Sequence, residues 1–403
     1  MTGAEAVGVA ASGDEAVGEP PPPQAATNRA AMARSGQANG RGIQRSVAAA
    51  GYEPVQAPTG TRRRSAGSVG VRVEAVGSSC RGAVRVAAKP WSADPRRMAN
   101  RTRILMIGGA GRSGSTLCDM LLGAAPGAVA VGESVAIWGY GVVENGLCSC
   151  GAPFLDCPFW SAVGKRAFGG WDAVVAQRYD GTEGEWPGVR RVLRKRILGP
   201  RSTPMRTEVA GVRARLYGAI AEVSGCEVIV DSSKHPYFSY QLSELEGFET
   251  RMVHLVRDPR ATVFSWRRPK FSPQPLRQAS HRWLAVNVAT ELAWLARGRR
   301  LHIKYETLAS RPGPTMQRLL RFAGLPPAPL AELLRDHEHH LIRGNPIRFD
   351  RGERRIELDD EWRRAMPFRR KLAVTWRTWP LMVAYGYAPW SGLRASGSSD
   401  RGA

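Results

Sequence analysis

Short apolar runs alternate with helix-like segments from Arg103 onward in this 403-residue chain. Their hydrophobicity is continuous rather than alternating, which is typical of strands that are buried on both faces. The predicted strands are 103–108 (RILMIG), 227–231 (EVIVD), 251–257 (RMVHLVR) and 301–305 (LHIKY), with a further strand before Val131. The predicted helices lie near 115–124, 259–267, 277–297 and 314–323. This alternation predicts an α/β fold with a central parallel sheet flanked by helices.

The first hundred residues follow a different pattern. Residues 1–97 consist mainly of Ala, Gly, Ser, Pro and Arg, with few large apolar side chains. Such a segment cannot bury enough surface to offset the entropy lost on ordering, so it is predicted to be a disordered tail. Because Met98 directly precedes the first strand, this tail could also be a mis-assigned start. Residues 98–390 are predicted to form one domain, followed by a disordered C-terminal tail at 391–403.

Charge and cysteine content narrow the class of protein. The chain has 58 Lys and Arg against 35 Asp and Glu, a net charge of +23, of which +17 lies after residue 97. This surplus predicts an anionic partner. No apolar run is long enough for a membrane-spanning helix, and six cysteines are too few for a disulfide-stapled scaffold. Since the N-terminal segment lacks the apolar core of a secretory signal, we expect a cytoplasmic protein.

A glycine-rich turn follows the first predicted strand. In GGAGRSGST (108–116), backbone N–H groups and the next helix's dipole can close on an oxyanion. Gly109, Gly111 and Gly114 match the dinucleotide fingerprint, with Glu133 near the ribose-binding distance. The turn also begins like a Walker A loop, but Ser115 stands where that loop needs Lys. In a third interpretation Arg112 supplies the cation, which suits a 5′-phosphosulfate group.

A second candidate anion site follows the predicted strand 251–257. Arg257 ends this strand, Asp258 and Pro259 fit the N-cap and first turn of the next helix, and Ser265 lies two turns along it. Ligands of open parallel sheets bind at the carboxyl ends of strands. Arg257 and Ser265 are therefore predicted to converge on one phosphate.

These two segments, GRSGSTL and LVRDPRATVFS, resemble the sulfotransferase superfamily, whose members use 3′-phosphoadenosine-5′-phosphosulfate (PAPS). The resemblance extends from about Arg103 to Tyr387 and implies a P-loop-NTPase-like sulfotransferase fold. It implies that Arg257 and Ser265 hold the donor's 3′-phosphate and that Tyr305, in a Tyr-Glu pair, contacts its adenine. The residues that it implies around the 5′-phosphosulfate are Gly111, Arg112, Ser113, Gly114, Ser115 and Thr116.

The resemblance also suggests catalytic roles. Arg112 in the turn resembles the arginine that the carbohydrate and protein-tyrosine branches have at this position. Glu133, 21 residues after Arg112, resembles the catalytic Glu of the protein-tyrosine branch and is the first choice for the general base. His235 is the rival, because cytosolic members use a His after their third strand. Lys234 is well placed to help at the bridging oxygen. The loop 344–349 (GNPIRF) resembles a late basic loop of bacterial members that closes over the donor.

Two segments stay ambiguous. Cys148, Cys150 and Cys157 fall within ten residues, but no His or further Cys is near in sequence, so a local disulfide or packed thiols are favoured and no metal is expected. The basic stretch 188–199 fits either a solvated helix face or a flank for an acidic or membrane-embedded acceptor.

The predicted activity is PAPS-dependent transfer of a sulfuryl group to a hydroxyl or amine of a small-molecule, carbohydrate, lipid or peptide acceptor. One alternative is a Rossmann-type dinucleotide-binding oxidoreductase. Another is a non-catalytic protein that binds anions or nucleic acid, although the aromatic stacking platform of nucleic-acid binders is missing, so no nucleic-acid partner is expected.

Overall fold

The structure, a computed structural model, describes residues 102–171, 207–267, 274–295 and 299–392. The predicted tails at 1–97 and 391–403 lie outside these ranges except for residues 391 and 392, and the basic stretch 188–199 lies outside them as well. The strands, helices and contacts of the fold belong to these four ranges.

A five-stranded parallel sheet forms the centre of the fold. Its strands are β1 (Arg103–Gly108), β2 (Ala128–Ala130), β3 (Val228–Asp231), β4 (Glu249–Val256) and β5 (Arg300–Lys304), in the spatial order β2-β3-β1-β4-β5. All neighbouring pairs are parallel. The predicted α/β fold with a central parallel sheet is therefore confirmed, and the predicted strand positions are correct to within two residues.

Helices follow the strands and cover both faces of the sheet. They are α1 (Ser115–Gly123), α2 (Pro158–Phe168), α3 (Thr207–Ser224), α4 (Pro236–Leu242), α5 (Pro259–Trp266), α6 (Leu276–Trp294), α7 (Tyr305–Ser310), α8 (Pro312–Ala323), α9 (Leu330–Leu334), α10 (Trp362–Ala365) and α11 (Phe368–Ala384). Short 3₁₀ turns at Ser134–Ala136 and Pro346–Phe349 and a π-helical segment at Ile137–Val143 complete the described elements. None of the described helices is long and apolar enough to cross a membrane.

The core lies on both faces of β1. Ile104 and Met106 belong to one buried cluster, which includes side chains from α2, α3, α4 and α6. Leu105 and Ile107 point the other way and pack with side chains of α1 and α8. Each fully buried aliphatic side chain stabilises the fold by about 1.5–3 kcal/mol. A strand with both faces covered in this way accounts for the uninterrupted hydrophobic run in the sequence.

The strand order decides between two interpretations of the glycine-rich turn. In the dinucleotide-binding fold, β2 lies directly beside β1 and brings its acidic residue to the ribose. Here β3 lies between β1 and β2. The topology therefore does not support the dinucleotide interpretation of Glu133. The carboxyl ends of β1, β2, β3 and β4 meet at one edge of the sheet, where the candidate site lies.

Candidate active site

The turn after β1 bends through three residues with positive φ angles. Gly109, Arg112 and Gly114 have φ angles of 116°, 71° and 84°. A Cβ atom at Gly109 would lie 2.1 Å from the carbonyl oxygen of Leu255 on β4, so only glycine fits there. Arg112 holds a left-handed conformation that costs a non-glycine residue on the order of 1 kcal/mol, and such strain concentrates at binding sites.

The start of α1 forms the other side of this turn. Gly114 is the N-cap residue of α1. Because glycine has no side chain, no N-cap side chain accepts a hydrogen bond from the first N–H groups of this helix. Ser113, Ser115 and Thr116 are buried, and the Ser113 hydroxyl donates a 2.7 Å hydrogen bond to the carbonyl of Ala110. Together with the positive end of the helix dipole, this turn can hold an oxyanion. The predicted cradle residues lie in one compact turn.

The second predicted anion site lies directly beside this cradle, because β1 and β4 are neighbours. Arg112 Nε donates a 3.2 Å hydrogen bond to Ser265 Oγ on α5. Arg257 Nη1 donates to the backbone carbonyl of Arg112, also at 3.2 Å. Asp258 caps α5 by accepting from the Arg260 N–H, as its position in the sequence predicts. The structure thus joins the two anion sites through Arg112.

Arg257 has one unused donor. Its side chain is buried, it lies 4.5 Å above the Tyr305 ring, and its Nη2 contacts the Asp359 carboxylate at 3.1 Å. Its Nε atom, however, is buried without a hydrogen-bond partner. An unpaired buried donor costs about 1–3 kcal/mol, so a ligand with several acceptor oxygens, such as a phosphate, would relieve this cost.

Tyr305 borders both anion sites. A Cβ atom at Gly114 would lie 2.6 Å from the Tyr305 ring, so the ring packs directly on the cradle. The Tyr305 hydroxyl donates to the carbonyl of Glu357 at 3.2 Å and accepts from the Asp359 N–H at 3.1 Å. Its neighbour Glu306 accepts a hydrogen bond from the Asp258 N–H at 3.0 Å and so stabilises the turn between β4 and α5.

Glu133 and Lys234 form an ion pair in the loops that follow β2 and β3. Lys234 Nζ donates to Glu133 Oε1 and to the carbonyl of Ser232, both at 2.7 Å. Burial raises the pKa of Glu133, but the positive charges of Lys234 and Arg343 outweigh it and hold the pKa below its ordinary value. Glu133 is therefore an ionised carboxylate at neutral pH. The two predicted catalytic residues are in direct contact.

The late loop links Glu133 to the cradle. Asn345 N–H donates to Thr116 Oγ1 at 3.2 Å, and Glu133 N–H donates to the carbonyl of Ile342 at 2.8 Å. A Cβ atom at Gly344 would lie 3.2 Å from Thr116 Oγ1 and 3.9 Å from Glu133 Oε1. Glu133, the cradle and this loop therefore meet at one point.

Two histidines near the site have structural contacts. His235, the rival base, caps α4 by accepting a 3.2 Å hydrogen bond at Nδ1 from the Phe238 N–H. His254 is fully buried between Glu291 and Asn287, each 3.0 Å away, and burial lowers its pKa to about 4. His254 is a neutral core residue.

Asp231 fixes the loop that carries Lys234. It accepts hydrogen bonds from the Tyr217 hydroxyl at 2.5 Å, from the Ser233 N–H at 2.8 Å and from the Ser134 hydroxyl. Burial raises its pKa above the ordinary value. With its oxygens used in this way, Asp231 orients the loops around the ion pair.

The cysteine segment agrees with one of its two favoured interpretations, packed thiols. Cys148, Cys150 and Cys157 are free thiols rather than a disulfide. The expectation of no metal rested on the lack of a fourth ligand nearby, and His340 lies beside these three cysteines. Residues distant in sequence thus complete a four-ligand cluster, and that reason against a metal was wrong.

Sequence reasoning missed other residues of the site. Arg343 acts on Glu133, and Asp359 contacts Arg257. The ring of Trp266 packs on the cradle, where a Cβ atom at Gly111 would lie 3.0 Å from it. Trp266 directly follows the predicted site residue Ser265, so the sequence could have placed it near the site. Nothing in the sequence indicated that Asp359 lies beside Arg257.

A family model described as "Sulfotransferase family" matches residues 203–329. This range contains Lys234, Arg257, Ser265 and Tyr305, and it begins well after β1 and β2, so the cradle and Glu133 lie outside it. The match therefore covers the second anion site independently of the first.

Two relatives have a related name. Carbohydrate sulfotransferase 3 of Mus musculus is 26% identical over 172 residues, and that of Homo sapiens is 28% identical over 174. Each match covers 37% of this chain and 36% of the relative, so the chain spans about a third of the length of these relatives. Among solved structures, a sulfotransferase domain from the Synechococcus PCC 7002 olefin synthase is 19% identical, with a TM-score of 0.42 over 71% of this chain and 95% of that chain. Taken together, the family match and the relatives show that the chain is similar to members of the sulfotransferase superfamily.

Proposed function

We propose that this chain transfers a sulfuryl group from PAPS to an acceptor hydroxyl or amine. The observation that carries the proposal is the hydrogen bond from Arg112 Nε to Ser265 Oγ. It joins the cradle after β1 to the anion site after β4, so that one ligand with two separate anionic groups can occupy both. PAPS has such groups in its 5′-phosphosulfate and its 3′-phosphate.

The residues of the two sites fit this donor. The turn's N–H groups and Arg112 would surround the 5′-phosphosulfate, where the positive helix end favours negative charge. Arg257 and Ser265 would hold the 3′-phosphate, and the unpaired Nε of Arg257 supports an additional acceptor at that position. Tyr305, packed between cradle and Arg257, offers an aromatic edge for the adenine.

Catalysis would depend mainly on positioning and charge. PAPS supplies an activated sulfuryl group on a phosphate leaving group, and transfer to the acceptor proceeds by in-line displacement. Arg112 and Lys234 would stabilise negative charge on the leaving and transferring oxygens. Glu133 would take the acceptor proton, and its carboxylate is already ionised at neutral pH. His235 suits this role less well, because its Nδ1 accepts a backbone hydrogen bond and the neutral ring then carries its proton on Nε2.

The class of acceptor is the next question for this activity. The two relatives are named carbohydrate sulfotransferases, which favours a carbohydrate hydroxyl as the first acceptor to test. A screen with labelled PAPS against sugars, lipids, phenols and peptides is the direct experiment. Transfer of label to one class would identify the acceptor, and no transfer to any would count against the enzyme proposal.

Donor binding separates the proposal from its alternatives without an acceptor. Adenosine 3′,5′-bisphosphate is expected to raise the melting temperature by mass action. Stabilisation by NADP with none by this bisphosphate would favour the oxidoreductase. Steeply salt-dependent DNA binding with no nucleotide effect would favour a non-catalytic anion-binding protein.

Arg257→Ala is expected to weaken binding of adenosine 3′,5′-bisphosphate about 10–150-fold, the loss of a charge-assisted contact worth about 1.5–3 kcal/mol. Adenosine 5′-phosphate lacks the 3′-phosphate, so its affinity should hardly change. Calorimetric titration of both ligands measures the difference. Arg321→Ala, at an exposed arginine on α8, is the matched control and should change neither affinity. Equal losses for both ligands in Arg257→Ala would refute the assignment.

Lys234→Met is expected to shift the acidic limb of the kcat–pH profile to higher pH. A general base works only when ionised, so turnover falls as the pH drops through its pKa. Lys234 lowers the pKa of Glu133, and its removal raises that pKa. Lys234→Arg keeps the charge and should leave the limb near its original position. An unmoved limb in Lys234→Met would show that another group is the base.

A further inference from the structure

Four side chains that could bind a metal ion lie close together outside the candidate active site. Cys148 and Cys157 are buried, Cys150 and His340 are half-buried, and the four potential ligand atoms all lie within 4.8 Å of one another. The cysteines come from the loop before α2, whereas His340 comes from the segment before the late loop, so the cluster joins two distant parts of the chain.

The distances fit a tetrahedral metal site. With Zn–S bonds near 2.3 Å and Zn–N bonds near 2.0–2.1 Å, ligands of tetrahedral zinc lie roughly 3.5–3.8 Å apart. Cys157 Sγ lies 3.6 Å from both Cys148 Sγ and Cys150 Sγ. His340 Nδ1 lies 3.3 Å from Cys157 Sγ and 3.9 Å from Cys148 Sγ. These sulfur–sulfur separations far exceed the length of a disulfide bond, about 2.05 Å.

Surrounding residues orient the histidine. Nδ1 faces the thiols, while Nε2 on the other side of the ring lies 3.8 Å from the Glu338 carboxylate. The Phe159 ring stacks on the imidazole at 4.9 Å with an interplanar angle of 7°. Trp160 Nε1 donates a 2.9 Å hydrogen bond to the carbonyl of His340. The stacked ring and the hydrogen bond to its backbone hold the imidazole with Nδ1 toward the thiols.

We propose that Cys148, Cys150, Cys157 and His340 bind one Zn²⁺ ion in a structural Cys₃His site. Four protein ligands close the tetrahedron, which distinguishes structural zinc from catalytic zinc, where one position stays open to water. On binding, each thiol releases its proton to solvent and coordinates as a thiolate, and the neutral imidazole donates its Nδ1 lone pair.

This site would hold the late loop against the active site. Cys148 pairs with Ile342 as an isolated antiparallel bridge, and Ile342 also pairs with Gly132. The Ile342 carbonyl accepts the hydrogen bond from the Glu133 N–H. The ion therefore stabilises the backbone that carries Glu133 and leads into Gly344. This role rests on the geometry of the chain and holds whether or not the proposed sulfuryl transfer is correct.

The experiment is metal analysis of the reduced full-length protein, purified without a metal-affinity step. We expect inductively coupled plasma mass spectrometry to find about one zinc ion per chain. Cys157→Ser and His340→Ala should lose most of it. Cys226→Ser is the matched control, because Cys226 is a buried cysteine that does not belong to this cluster, and this variant should keep its zinc.

Two measurements on the unmodified chain keep the proposal testable if the variants do not fold. Replacement of the ion by Co²⁺ should give thiolate-to-metal charge-transfer bands and the visible bands of a tetrahedral site. Chelation should speed hydrogen exchange at the amides of Glu133 and Ile342. Reduced protein that takes up neither Zn²⁺ nor Co²⁺, or a native disulfide among the three cysteines, would overturn the proposal. Because none of these measurements depends on PAPS or an acceptor, failure here is distinguishable from failure of the proposed function.

Discussion

Glu133→Gln is expected to lower turnover about 10²–10⁴-fold while leaving donor affinity almost unchanged. Glutamine keeps the shape of the side chain and can still accept the hydrogen bond from Lys234, but it cannot take a proton. The loss of turnover is large because the proton transfer is removed. Donor affinity stays almost unchanged because the ground-state contact with Lys234 is kept. Steady-state kinetics with labelled PAPS, together with calorimetric titration of adenosine 3′,5′-bisphosphate, measure the two quantities separately.

His235→Asn is the control for this assignment. Asn can also cap α4, so the fold should be preserved, and turnover should fall far less than in Glu133→Gln. A large loss in His235→Asn with near-full activity in Glu133→Gln would reverse the two roles. Weakened nucleotide binding in Glu133→Gln would instead return Glu133 to the ribose-binding role of a dinucleotide site.

Arg112→Ala is expected to lower kcat about 10²–10³-fold, the usual cost of removing one donor that stabilises charge in the transition state. Donor affinity should fall as well, since Arg112 contacts both anion sites. Both arginine and alanine are strained at a φ of 71°, so the substitution adds little backbone cost of its own. Single-turnover kinetics at saturating donor isolate the chemical step.

The matched variant is Arg112→Lys. Lysine restores the positive charge but not the planar group that reaches Ser265, so activity should recover in part. The resemblance supports this, since cytosolic members of the superfamily have lysine in the turn. Recovery no better than in Arg112→Ala would mean that the hydrogen bond to Ser265 matters more than the charge. Full activity in Arg112→Ala would remove Arg112 from the mechanism.

The strands were predictable because their cause is local. A strand covered on both faces needs apolar residues throughout, and runs such as RILMIG satisfy this requirement wherever they lie in the sheet. The boundary at Tyr305 was the exception. The predicted strand 301–305 includes it, whereas β5 ends at Lys304 and Tyr305 begins α7. Its aromatic side chain fits a strand equally well, and only its packing on Gly114 shows its actual place.

Much of the candidate site was also predictable. The cradle is contiguous in sequence, and Arg257 and Ser265 lie eight residues apart on one strand–helix unit. Parallel strands bring their carboxyl ends to the same edge, so the convergence of these two segments follows from the fold class. The hydrogen bond between Arg112 and Ser265 spans 153 positions and adds the detail that the two sites share a residue.

The sequence by itself determined the α/β class, the positions of its main strands and helices and the two segments that form the candidate anion sites, because each depends on residues close together in the chain. Only the tertiary structure decided the strand order, which sets β3 between β1 and β2 and thereby brings Lys234 to Glu133 across 101 positions. It likewise brought His340 to Cys148 across 192 positions. Such contacts arise from the packing of whole elements, and no local pattern of residues specifies which distant side chains that packing will bring together.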